Sequence, residues 1–115
     1  MSPRGVGGAR GIDRERKVRD WLTERDWIAF RAPASLGVAD VVALKAGSRP
    51  RLIEVKSTAQ GPYEHFGPGD RARLRFAAEM AGADPFLVWW PPRGTMHWLG
   101  PNDWPPDGLT ALLPP

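Results

Sequence analysis

Three charged residues interrupt the most apolar stretches of this sequence. Asp40 heads the run Val41-Val42-Ala43-Leu44, and Glu54 and Lys56 bracket Val55 in the next one. In an extended strand successive side chains leave opposite faces, so Glu54 and Lys56 share one face while Ile53 and Val55 share the other. A carboxylate beside an ammonium on a half-buried strand is costly unless each group has a partner or a task. Asp40 and Glu54 can hold a hard divalent cation through oxygen, with the Val55 carbonyl adding to the octahedral shell that magnesium prefers. Lys56 beside them can orient a water or help to deprotonate it. Together these are the parts of a phosphodiester hydrolysis. Glu15, one helical turn before Val18, is a fourth candidate, for a second ion or for ordering metal-bound waters. A plainer reading makes Glu54 and Lys56 a surface ion pair and Asp40 a strand start. That serves for any one pair and less well for all of them, each set in an apolar run.

The elements that must position these residues follow from periodicity. Residues 1–11 are rich in Gly and Arg without apolar repeat, which predicts a flexible basic arm. Asp13 is the expected cap of a helix to about Arg25, with Val18, Trp21 and Leu22 on its inner side. Strands are expected at Trp27–Phe30, Val38–Leu44 and Arg51–Ser57, with a loop at Ala32–Gly37 and a turn at Ala46–Pro50. Asp70 is the expected N-cap of a second helix to about Ala81, with Leu74, Ala77, Ala78 and Ala81 as its core stripe. Asp84-Pro85 ends that region. Phe86–Trp90 is apolar on both faces, as a strand covered on both sides must be, and Thr95–Leu99 reads as an edge strand. The order α-β-β-β-α-β-β predicts an α/β fold with one mixed sheet flanked by helices, in a single domain over residues 12–115.

Composition narrows the field. The chain of 115 residues suffices for one hydrophobic core. No run reaches the length of a membrane span, the start lacks the apolar stretch of a signal peptide, and a cytoplasmic setting is expected. Cysteine is absent, which excludes disulfides and thiolate-bound zinc. His65 and His97 are isolated in the sequence, which argues against a histidine metal site. The formal charge is +3, and apart from Lys17, Lys45 and Lys56 every basic residue is arginine. Arginine's planar fork suits phosphate, although a codon-biased genome yields the same excess. Arg71, Arg73 and Arg75 open the second helix with one sign of charge. They are candidates either for phosphate contact or for a solvated face.

The strings Glu15-Arg16, Arg31-Ala32-Pro33-Ala34-Ser35, Ala39-Asp40-Val41-Val42-Ala43-Leu44 and Ile53-Glu54-Val55-Lys56-Ser57 resemble the archaeal-type Holliday junction resolvases of the PD-(D/E)XK nuclease superfamily. The Glu-x-Lys element is shared across that superfamily, and the Arg-Ala-Pro-Ala-Ser segment narrows the match to the resolvases. The resemblance implies a restriction-endonuclease-like core with Glu15, Asp40, Glu54 and Lys56 as the catalytic set and Ser35 in a mobile catalytic loop. Glu15, Asp40, Glu54 and the Val55 carbonyl would serve the metal. Arg16 and Arg31 would contact junction phosphates. Ala39 stands where the motif's name has proline, and the loop between Ser35 and Asp40 is short for the family. The second helix lacks the glutamine often found near its start.

The expectation is therefore a magnesium-dependent endonuclease, manganese substituting, that resolves four-way DNA junctions. Arg4, Arg10, Arg16, Arg31, Arg71 and Arg75 would bind the DNA through phosphates rather than base edges. Two symmetric cuts call for a two-fold homodimer, and the cluster Trp89, Trp90 and Trp98 places its contact around Phe86–Leu99. The alternatives are a restriction- or repair-type nuclease acting on duplex, flap or mismatched DNA, and a non-catalytic DNA-binding subunit.

Overall fold

The computed structural model describes residues 3–32 and 38–106, the side chains of residues 3–10 excepted. The elements are α1 (Pro3–Thr23), β1 (Ile28–Arg31), β2 (Val41–Leu44), β3 (Arg51–Ser57), α2 (Pro68–Ala81), β4 (Asp84–Trp90) and β5 (His97–Leu99). The strands form one sheet in sequence order, β1-β2-β3-β4-β5. Neighbours are antiparallel except β3 and β4, which run parallel with α2 as the crossover between them. Parallel neighbours need such a crossover, so the one helix in this half of the chain dictates the one parallel pair.

Each face of the sheet carries its own core. On one side α1 sets Val18 and Leu22 against Val41, Ala43, Ile53, Val88 and Trp90. On the other, Leu74 of α2 joins Ala39, Phe66, Leu87 and Trp104. β4 feeds both, Leu87 to the α2 side and Val88 to the α1 side, which accounts for its unbroken apolar sequence. α2 lies over β3 and β4. The α2 side of β1 and β2 is left with Ile28, Phe30 and Leu44 exposed.

Several boundaries differ from those predicted. α1 starts at Pro3, well ahead of Asp13, so residues 3–11 continue the helix instead of forming a flexible arm. Proline at a helix start is compatible with this, because the first turn's N–H groups lack intrahelical partners anyway. α2 likewise begins earlier. Gly67 is its N-cap in extended conformation, Pro68 follows, and Asp70 lies in the first turn rather than at the cap. There its negative charge faces the helix's positive end and pairs with Arg73. Gly82 ends α2 at φ 64°, a left-handed conformation that glycine adopts without strain. β2 starts at Val41 rather than Val38, and β5 at His97 rather than Thr95. Asp84 and Pro85 open β4 instead of merely breaking the helix, Asp84 N–H donating to the Pro50 carbonyl at 2.8 Å. Ala81 is exposed and drops out of the α2 core stripe, whereas Arg71 is buried in it.

Leu87 is fully buried on the central parallel pair, so Leu87→Ala is expected to cost about 2–5 kcal/mol of unfolding free energy. Equilibrium denaturation in urea checks this. A loss below about 1 kcal/mol would mean that the α2-side core collapses to fill the cavity.

Candidate active site

Asp40 immediately precedes β2 and is only 6% exposed. Its backbone is tied to both neighbouring strands. The Ala32 N–H donates to its carbonyl at 2.9 Å, and its own N–H donates to the Ile53 carbonyl at 2.8 Å. Its side chain carries the connection further, Oδ2 accepting the Val55 N–H at 2.8 Å. Asp40 thus grips β3 on both sides of Glu54. A buried carboxylate is accommodated when it accepts such bonds.

β3 then delivers the other two groups as alternation requires. Ile53 and Val55 pack toward α1, which sends Glu54 and Lys56 to the α2 side, both half-buried. On the parallel neighbour, Glu54 stands beside Leu87 and Lys56 beside Trp89. The two bonds that Asp40 makes to β3, to the Ile53 carbonyl and from the Val55 N–H, bring it alongside Glu54. Among the described residues no three His, Asp or Glu side chains gather into a metal-holding group. The donors on offer are two carboxylates and the Val55 carbonyl. An all-oxygen set with so few protein ligands suits magnesium, which keeps several of its waters and binds through one or two carboxylates.

Glu15 forms an ion pair with Arg31, whose Nε donates to Glu15 Oε1 at 3.0 Å, the Arg31 side chain being 29% and the Glu15 side chain 16% exposed. The sequence reading gave Glu15 to the metal and Arg31 to a phosphate. The structure joins the two to each other, across sixteen residues of chain, because Arg31 leaves β1 on the side facing α1. Charge complementarity was the available signal, one glutamate in an arginine-rich helix opposite a strand-end arginine.

The proposed DNA contacts separate into groups. Arg16 is exposed on α1. The side chains of Arg4 and Arg10, and all of Ser35, lie outside the described residues. Arg71 requires correction. It is 5% exposed, its Nη1 donates to the Phe66 carbonyl at 2.7 Å, and its guanidinium lies over the Tyr63 ring at 5.7 Å. It closes the loop after β3 onto α2 and is too enclosed to meet a phosphate. Arg75 stands over Trp104 at 5.5 Å with its Nε buried, so it too packs against the core. In the same loop Tyr63 donates its hydroxyl proton to the Asp103 carbonyl at 3.0 Å. Burial and then Asp103 push its hydroxyl pKa up, with Arg71 opposing, so the phenol keeps that proton.

Of the tryptophans, Trp27, Trp90 and Trp104 are buried, and Trp21, Trp89 and Trp98 are half-buried. Trp90 is buried against α1, Trp98 packs on Trp21 and Phe86, and Trp89 donates its indole N–H to Thr58. Among the described residues the exposed large apolar side chains are Phe76 and Met80 on α2, with Ile28, Phe30, Val38 and Leu44, and none of these lies within Phe86–Leu99. Phe76 and Met80, one helical turn apart, were legible as a second apolar stripe and went unread.

The archaeal Holliday junction resolvase (Hjc) family profile matches residues 7–104, most of the chain. The chain belongs to the archaeal Holliday junction resolvase family. It is an endodeoxyribonuclease that resolves four-way DNA junctions, of a family of metal-dependent nucleases. The fold is similar to that of Archaeoglobus fulgidus Hjc, a Holliday junction resolvase from an archaeal hyperthermophile, with a TM-score of 0.68 and 24% sequence identity. That match covers 79% of this chain and 72% of the other. No curated protein matches the sequence significantly. Among the described residues no helix is long and apolar enough to cross a membrane.

The Glu15–Arg31 pair makes a specific prediction. Arg31→Met is expected to destabilise the fold by removing a cationic partner of a largely buried carboxylate, and part of that loss should be absent when Glu15→Gln is already present. A double-mutant cycle by chemical denaturation should return a coupling of about 0.5–3 kcal/mol. A coupling near zero would mean that Glu15 is held equally well by other partners.

Proposed function

We propose that the resolvase cleaves with magnesium held by Asp40, Glu54 and the Val55 carbonyl, manganese substituting. The observation that carries this is the Asp40 carboxylate seated on the Val55 N–H, which ties it to the strand bearing Glu54 and Lys56. When bound, the cation supplies positive charge for the non-bridging and leaving oxygens and lowers the pKa of a coordinated water. The rest belongs to the chain. Asp40 presents a carboxylate that needs no reorganisation, because the strand pair already holds it. Glu54 lies between Ile53 and Val55, the two β3 residues that Asp40 bonds. Lys56 shares the Glu54 face and reaches the same space, where its ammonium orients the attacking water and offsets phosphate charge. Arg31 holds Glu15 on the α1 side, ordered to position solvent at the rim. The exposed Arg16 contacts phosphate, so recognition is by charge and junction shape rather than base edges. A cytoplasmic setting is in keeping with a DNA substrate.

Resolution requires two cuts on symmetric strands, which a two-fold homodimer supplies. Its contact is best placed on α2. Phe76 and Met80 are 65% and 74% exposed and line an apolar groove with Val38, Ala72, Ala77 and Ala81. That groove continues toward the uncovered apolar side of β1 and β2. A patch of this kind on a small domain marks an interaction surface. The Phe86–Leu99 contact expected from the sequence has no comparable exposed surface to offer.

Asp40→Asn and Glu54→Gln are expected to abolish cleavage of a four-way junction while leaving its binding intact. Lys56→Ala should slow turnover by about 10²–10⁴-fold. Parallel cleavage of four-way, flap and linear substrates, paired with gel shifts, checks these outcomes. Retained cleavage in Asp40→Asn would sink the assignment, and equal cutting of linear duplex would remove the junction selectivity. Separately, Phe76→Glu combined with Met80→Glu should give a folded monomer in sedimentation at micromolar concentration. A persistent dimer in that variant would move the contact away from α2.

A further inference from the structure

Lys56 is the most flexible member of the site, a point charge on a four-carbon stem. Useful placement of such a group depends on what confines it. On the parallel neighbour β4 the residue in register with Lys56 is Trp89, and on β5 the residue in register with Trp89 is His97. Leu87 and Leu99 of the adjacent rows both pack in the α2-side cluster. Alternation therefore sends Lys56, Trp89 and His97 to that same side as a row across three strands. The indole is held from both directions. Its Nε1–H donates to the Thr58 hydroxyl at 3.0 Å and to the Thr58 carbonyl at 3.2 Å. On its other flank the His97 ring lies 5.6 Å away, tilted by 40°.

Thr58 is itself committed. It is 9% exposed, and its hydroxyl donates to the Gly61 carbonyl while accepting from Trp89. Gly61 makes that turn at φ 105°, where a side chain would be strained. Thr58 directly follows the last residue of β3, two positions beyond Lys56. The indole thus reaches from β4 across to the end of β3, just past Lys56. The indole, on the residue in register with Lys56, therefore stands on the β4 side of the lysine.

We infer that Trp89 and Thr58 are positioning residues for Lys56, a hydrogen-bonded clamp that directs its ammonium toward the Asp40–Glu54 carboxylates. The inference rests on Lys56 acting in the site proposed above. Neither residue need touch DNA or metal. A misplacement of about 1 Å can cost about 10²-fold in rate even when the altered residue lies away from the chemistry.

The test compares single-turnover cleavage, at saturating enzyme dimer with magnesium, against junction affinity and melting temperature. Trp89→Phe keeps a ring but loses the donor, and Thr58→Val keeps the shape but loses the hydroxyl. Both are expected to cleave between about tenfold and about 10²-fold more slowly, with junction Kd unchanged. Thr58→Ser, which keeps the hydroxyl, should restore most of the rate. Parental rates in both Trp89→Phe and Thr58→Val, or no rescue by Thr58→Ser, would overturn the clamp. So would rates that fall only in step with Kd and melting temperature. Lys56→Ala is the control that separates the two levels. An inactive Lys56→Ala beside fully active clamp variants overturns this inference alone. A fully active Lys56→Ala overturns the site reading and the clamp with it.

Discussion

The contact between the Asp40 carboxylate and the Val55 N–H at 2.8 Å is the constraint on which the site depends. β2 and β3 pair as ordinary antiparallel strands from Val41↔Ile53 to Ala43↔Arg51. Beyond that the backbone ladder gives out, and a side chain takes the place of a backbone acceptor. An acceptor in that position satisfies a β3 N–H that would otherwise be left without a partner near the core. It also brings negative charge to the strand that carries Glu54. The bond that ends the ladder is therefore also the one that holds the carboxylate proposed to bind metal, which would couple the local stability of the sheet to its chemistry.

A domain of this size has two thin cores, and it uses arginine to seal their edges. Arg51 lies over Trp27 at 4.4 Å, Phe86 at 5.0 Å and Trp98 at 5.5 Å. Burial lowers its pKa, with Asp84 pulling the other way. Arg14 caps Trp90 at 4.5 Å and Arg25 covers Trp21 at 3.8 Å. Guanidinium groups stack on aromatic faces because they are planar and weakly hydrated, and their stems cover apolar surface at little cost. Much of the arginine that looks like DNA-binding capacity in the sequence is packing. Arg71, inside the α2-side core, is the extreme case.

The two helices play unequal parts. α1 buries its inner face against the sheet and uses Glu15 and Arg31 to join its middle to the end of β1. α2 buries Leu74 and Ala78 and leaves Phe76 and Met80 facing outward. Covering only β3 and β4, it leaves one side of β1 and β2 open. The molecule therefore presents an apolar face beside its catalytic edge, an arrangement that suits an enzyme whose task comes in symmetric pairs.

Local pattern sufficed for the order of elements, the run of β3 from Arg51 to Ser57, and the placing of Glu54 and Lys56 on one face of that strand. Polar residues inside apolar strands are conspicuous, and strand alternation allows them few directions. The family was legible for the same reason, in short strings that serve backbone and chemistry together. Partners far apart in the chain were not legible. Glu15 and Arg31 meet only because α1 crosses β1, and Arg71 is buried only because the loop after β3 folds back onto α2. Trp89 reaches Thr58 only because β4 returns parallel to β3. The start of α1 at Pro3 escaped prediction because glycine content argues locally against a helix, whereas local propensity is a weak prior that context overrides. Composition determined what the residues could do, and tertiary packing decided which of them were already taken, because a guanidinium or an indole has many possible partners and only the fold brings one within reach.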